Sequence, residues 1–374
     1  MKISILLTIL IALLLSACTN ESEIIPSGKV IKIGVLAPMS GKYKTLGQQS
    51  LQGLKAAQKM RRYLKNGDEI VFEVVDTKND TKNSKKAFLK FLKSDVTSVF
   101  SFMNRDATLA MKYEFQKHKI PIISTLSTAN EITLNNDYIS QVCMDDNMQV
   151  LVASHYIRDE KLIQNVGVVY SEHSKYSSAL AYAFKEYFVK LGGNIDFFID
   201  IDSSDGLQKF HNLNKKSLKM LFNTTDAILS VKVLRIINEQ GLTLEVLGAK
   251  GLFSNALEVS KDSFRLFEGV YVVEHYAHET SKSRNRKRLE QLLDKDGLKE
   301  SSYAFLSYDA YQLLLYALDS CSDYNPECVN SILKNSDVIE GISKNFSMVD
   351  AKAKREVYID KIVKSKLQKE VVVY

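Results

Sequence analysis

The side chains best able to act as nucleophiles or metal ligands are four cysteines and six histidines. Cys321 and Cys328 flank a short polar turn, SDYNPE. In an exported, oxidising setting they are expected to form a disulfide. A zinc site there needs two more ligands, and none is evident nearby in the sequence. Cys143 is left as a buried thiol. His275 and His278 form a spaced pair after an apolar run, but two imidazoles alone make a weak metal case, so no metal is expected. The chain holds no His-Glu-x-x-His, Gly-x-Ser-x-Gly, P-loop or Cys-x-x-Cys motif. Neither an enzyme nor a cofactor is therefore expected.

The remaining cysteine, Cys18, is placed by its surroundings. Met1-Lys2 gives a positive start, and Ile3 to Leu15 is apolar apart from Ser4 and Thr8. That run is too short to span a bilayer, which takes about 20 residues. A charged start, a short apolar core and small residues before a cut site read as a secretory signal. Leu15-Ser16-Ala17-Cys18 resembles the lipobox of bacterial lipoproteins. The resemblance implies cleavage before Cys18 and lipidation there, giving stable anchoring because several acyl chains are carried. Residues 1–17 are then signal peptide and 18–29 a lipidated tether.

The remaining chain, about 350 residues, suits two domains rather than one core. The net charge of +6 is spread in mixed runs. The one dense basic block, SKSRNRKRLE, reads as a solvated helix start, so no nucleic-acid partner is expected.

From Val30 onward short β-branched runs alternate with longer amphipathic stretches. Strands are expected at 31–38, 69–76, 96–102 and 120–125, with helices at 47–64, 82–93 and 106–118. The pattern restarts with a helix at 148–157 and a strand at 165–171. Helices at 177–191, 207–222 and 233–240 then alternate with strands at 194–201, 226–231 and 244–249. A strand at 269–276, helices near 284–294, 302–319 and 326–335, and a C-terminal hairpin complete the reading. Buried apolar runs alternating with helices predict an α/β fold, two doubly wound parallel-sheet lobes in series.

Five segments then point to one family. IKIGVLAPMSGKYKTLGQQSLQGLKAA (31–57) resembles the opening of the type I periplasmic binding proteins, the leucine/isoleucine/valine-binding family. IPIISTLSTANEIT (120–133), VGVVYSEHSKYSSALAYAFKEYFVKLGG (166–193), LEVLGAKGLFS (244–254) and AFLSYDAYQLLLYAL (304–318) resemble later segments of that family, in order. The resemblance implies three crossings between lobes, placed near 141–144, 272–276 and 341–345. Lobe one would be 30–141 and 275–342, and lobe two 142–274 and 343–374.

It also implies ligand-binding positions. Leu126, Ser127 and Thr128 fall where small residues and a threonine hold an amino-acid carboxylate. Tyr176 falls on an aromatic that covers the ligand, and Leu46 near another. Three departures stand out. Arg105 replaces a small hydroxyl residue, Lys250 replaces the acid that pairs with the ligand ammonium, and the loop after 226–231 is short. An ammonium near Lys250 is repelled, and Arg105 can clamp a carboxylate. The expected ligand is amino-acid-like or anionic. The implied function is a solute-binding lipoprotein feeding an ABC permease, or alternatively a receptor signalling to a membrane kinase or cyclase.

Overall fold

The computed structural model describes residues 24–213, 218–257, 259–276, 283–298 and 301–373. The signal segment, Cys18 and the first half of the tether lie outside these, as does His278.

The first lobe opens with strands β1 (Val30–Ala37), β2 (Glu69–Asp76), β3 (Ser98–Ser101), β4 (Ile122–Ser124) and β5 (Ile139–Gln141). Helices α1 (Lys44–Met60), α2 (Thr81–Phe91) and α3 (Arg105–His118) connect them. The second lobe carries β6 (Asn165–Tyr170), β7 (Asn194–Asp200), β8 (Met220–Asn223), β9 (Glu245–Gly248) and β10 (Tyr271–Glu274). Its helices are α4 (Asp146–His155), α5 (Lys175–Lys190), α6 (Gly206–Asn212), α7 (Ala227–Glu239), α8 (Leu252–Ala256) and α9 (Lys261–Phe264). The chain returns to the first lobe with α10 (Arg284–Asp294), α11 (Ser302–Ser320), α12 (Pro326–Lys334), β11 (Ser336–Ile339), β12 (Phe346–Val349) and β13 (Lys352–Lys354). It ends in the second lobe with β14 (Val357–Val363) and β15 (Lys366–Val373).

Each lobe has the same parallel core. The first sheet runs β11-β12-β13-β5-β4-β3-β1-β2 and the second β15-β14-β10-β9-β8-β6-β7. Within each, the order of the opening five strands reverses beside the first of them, the topological switch point where open α/β sheets present a crevice. Every residue of β3, β4 and β5 is buried. That burial explains why the segments of β3 and β4 read as apolar runs rather than alternating ones, whereas the short β5, Ile-Ser-Gln, is not among the expected strands. In the first lobe α1 crosses α11 so closely that a β-carbon on Gly53 would lie 2.3 Å from the Ala304 carbonyl oxygen.

Two expectations are corrected. Residues 207–222 are not one helix, and 226–231 is not a strand. Helix α6 stops at Asn212, β8 occupies 220–223, and α7 starts at Ala227. Asp226 caps α7 by accepting from the Leu229 N–H at 3.0 Å. Leu229, Ser230, Val233, Leu234 and Ile237 are buried while Ile228 is 68% exposed. That is helical spacing, and the apolar run AILSV hid it.

The third crossing is also displaced. Phe346 and Met348 are buried in the first lobe's core, and β12 and β13 pair with each other and extend the first sheet. Residues 343–354 therefore belong to the first lobe. The chain passes over at 355–356, and the crossing expected at 341–345 is not there. The other passages follow Gln141 and Glu274.

Candidate functional site

The site is built where strands end. After β3, Asn104 caps α3 by accepting from the Ala107 N–H, which sets Arg105 in the first turn. After the first crossing, Asp145 caps α4 by accepting from the Met148 N–H, which sets Asp146 at its start. After β6, Ser174 caps α5 by accepting from the Ser177 N–H, which sets Lys175 and Tyr176 at its start. Such caps contribute about 1 kcal/mol each. Here they also fix three charged first turns at the gap between lobes.

Those turns meet across the gap. Arg105 Nη1 donates to Asp146 Oδ2 at 2.7 Å, and Nη2 donates to Glu131 Oε1 at 3.0 Å. The Asp146 N–H donates to the Thr128 carbonyl at 2.9 Å, which brings the Thr128 side chain close enough to pull on the Asp146 carboxyl. Asp146 is 4% exposed. Burial pushes its carboxyl up to about 6, against the opposing pull of Thr128, Arg105 and Lys250. Lys175 Nζ lies 4.0 Å from Asp106 Oδ1, a second interlobe pair. It is well exposed, so it contributes little.

Tyr176 is turned into its own lobe. Its hydroxyl donates to Gln149 Oε1 at 2.9 Å, and the Lys250 backbone N–H donates to the same oxygen at 3.3 Å. The Lys250 side chain is half-buried and makes no ion pair among the described residues. Its charge nevertheless acts on Asp146, Cys143 and His275. Leu126 lies in the first lobe's core, and Leu46 packs against that core. Arg105 is not free to clamp a guest, because Asp146 and Glu131 already hold it.

Unused hydrogen-bonding capacity gathers at the ends of β3 and β4 in the first lobe. The hydroxyls of Ser101, Ser124, Thr125 and Ser127 are wholly buried and have no partner. Ser101 and Ser124 stand opposite each other in the β3–β4 register. In the second lobe the equivalent hydroxyls satisfy one another. Ser177 bonds Thr224 at 2.9 Å, Thr225 bonds Asn223 at 2.7 Å, and Asn223 bonds Ser230 at 2.9 Å. A buried polar atom without a partner costs about 1–3 kcal/mol, so the four first-lobe hydroxyls favour a polar guest or water.

At the outer lip, Arg105, Asp106, Leu109 and Ala110 of α3 face Glu172, Lys175, Ser178, Ala179 and Tyr182 of the second lobe across a groove of about 660 Å3.

The hinge closes the inner end. The Met144 N–H donates to His275 Nε2 at 3.0 Å, joining the first two crossings. Burial drives the imidazole well below its ordinary range, so it is neutral and accepts. Arg355, in the third crossing, donates to Asp309 Oδ2 at 2.8 Å and to the Val142 carbonyl at 3.4 Å. The Tyr276 hydroxyl reaches Asp309 Oδ2 at 2.8 Å. No cluster of metal-binding side chains is present among the described residues, and the His275 ring is committed to the hinge. The Cys321–Cys328 disulfide joins the end of α11 to α12.

Sequence reasoning missed Asp146 and Gln149. The available signal was the doublet Asp145-Asp146: one carboxylate caps α4, and the other is left over for another partner.

Residues 30–366 match the family model described as periplasmic binding protein. The Leu/Ile/Val-binding protein homolog 2 of Brucella abortus is 21% identical over 329 residues, which covers 86% of each chain. A leucine-binding protein from Thermotoga maritima superposes with a TM-score of 0.79 at 20% identity, over 92% of this chain and 98% of that one. A solute-binding protein from R. palustris in complex with 4-hydroxybenzoate superposes with a TM-score of 0.78 at 18% identity, over 92% and 97%. The lobes, their strand order and this match over most of the chain agree: the chain belongs to the periplasmic binding protein family, the solute-binding proteins of type I architecture.

Proposed function

We propose that this protein is an extracytoplasmic solute receptor, anchored by lipid on Cys18, which closes its lobes on a small amino-acid-like or anionic solute and delivers it to an ABC importer. The observation that carries the reading is where the lobes meet. Arg105, Asp106 and Thr128 follow strand ends of one sheet. They face Asp146 and Lys175, which stand at helix starts of the other lobe. Lobes joined by narrow crossings and touching through such segments are built for hinge closure. Lys250 supplies a cation without an ion pair among the described residues, and the four unpartnered hydroxyls supply polar contacts. The relatives of this fold include proteins solved with isoleucine and with 4-hydroxybenzoate, which sets the size of solute to test.

A thermal-shift panel of amino acids, hydroxybenzoates and dicarboxylates tests the reading. A saturable stabilisation by one chemical class supports it, and a flat response to all classes counts against it. For the anchor, Cys18→Ala is expected to release the protein from the membrane fraction. Unchanged membrane association of that variant contradicts lipidation.

A further inference from the structure

We propose that Asp146 is a tethered carboxylate ligand: it fills the anion subsite that Arg105 and Thr128 form on the first lobe, and so bars carboxylate guests from that subsite while joining the lobes. The inference rests on the reading that the lobes close on a solute, and it specifies what that solute does not present to Arg105.

The subsite has the chemistry of carboxylate recognition. A guanidinium N–H donates to the carboxylate at 2.7 Å, which is charge-assisted hydrogen bonding of the strong kind, and the Thr128 carbonyl accepts from the Asp146 N–H at 2.9 Å and holds the residue in register with the first lobe. The carboxylate so held is not a guest. It belongs to the other lobe, where Asp146 opens α4 and Gln149 Nε2 adds a longer contact at 3.4 Å to Oδ1. The acid is not needed as the helix cap, because Asp145 already accepts from Met148. Nor does charge balance on Arg105 require it, since Glu131 lies at 3.0 Å. A nearly wholly buried carboxylate carries a desolvation cost that an apolar or amide residue at this position would avoid. Its placement therefore makes sense as an occupant. An anionic guest is then held by Lys250 and the unpartnered hydroxyls, with Arg105 left to Asp146.

Removing the tethered group leaves a space shaped for a free carboxylate. Full-length Asp146→Ala is tested by thermal unfolding in sodium acetate, at about 100 mM, against sodium chloride of equal ionic strength. The expected result is an acetate-specific, saturable rise of about 2–4 °C in that variant. Any acetate held by Lys250 acts alike in wild type and in the Arg105→Ala/Asp146→Ala double variant, and both are expected to fall short of that rise. If Asp146→Ala does not fold, Asp146→Ser opens a similar space and carries the same expectation. No acetate effect in the single variant, or an equal effect in wild type, overturns the proposal. Because the readout is the excess of the single variant over wild type, it isolates this subsite and is independent of whether any solute closes the lobes, which the solute panel decides.

Discussion

Arg105 and Asp146 lie in different lobes and 41 residues apart in sequence, yet a 2.7 Å ion pair joins them in the gap. The pair makes the gap self-complementary at one point. It also places a titrating carboxyl at the contact between lobes.

The carboxyl of Asp146 is raised from its ordinary value to about 6, chiefly by burial. Between pH 4 and 6 the folded chain therefore holds a proton that the unfolded chain has released. This stabilisation is fully present below about pH 4 and is lost as the pH rises through 6. The stability of wild type relative to Asp146→Asn is expected to fall by about 3 kcal/mol from pH 4 to pH 7. Urea denaturation across that range measures it, and a constant difference between the two proteins contradicts the assignment.

Asp309 is fully buried and takes hydrogen bonds from Arg355 and Tyr276 at the hinge. Asp309→Asn strips the buried Arg355 of its counter-charge and is expected to cost about 3–5 kcal/mol. Thermal unfolding reads this directly. A loss below about 1 kcal/mol places the Arg355 charge in water rather than in the hinge.

Gly251 sits at φ +79°, where a β-carbon would lie 2.6 Å from the Tyr303 hydroxyl of the opposite lobe. Gly251→Ala is expected to push the lobes apart at that contact and to add about 1 kcal/mol of backbone strain. Small-angle scattering should show a larger radius of gyration. An unchanged radius means that the Tyr303 ring moves aside instead.

The Tyr176 hydroxyl bonds Gln149 inside its own lobe. Tyr176→Phe is expected to cost about 1 kcal/mol in stability and to leave solute affinity within twofold. A tenfold loss of affinity at unchanged stability shows that the hydroxyl turns out to meet the guest.

Much of the fold was legible because its signals are local. The first four strands of the first lobe appear as β-branched runs, and their connecting helices carry apolar stripes. Residues 207–231 misled because AILSV fits a buried strand as well as it fits the buried side of a helix, and only the Asp226 cap separates the two. The third crossing was missed because β12 and β13 form a short hairpin, with Phe346 and Met348 at strand spacing, just before the chain leaves the first lobe. The site was legible in part. Arg105, Thr128 and Lys250 do gather at the gap. That Arg105 is taken by Asp146 depends on a contact between distant segments, which no window of sequence contains.

The central claim is that two lobes move on a shared hinge when a solute enters. Spin labels on Tyr113→Cys and Val189→Cys, which are 72% and 51% exposed on opposite lobes, report that motion as a distance distribution by pulsed electron paramagnetic resonance. The solute identified by the stabilisation panel is predicted to shift the distribution to a shorter, narrower distance with one-to-one saturation. An identical distribution with and without that solute, at saturating concentration, contradicts the account.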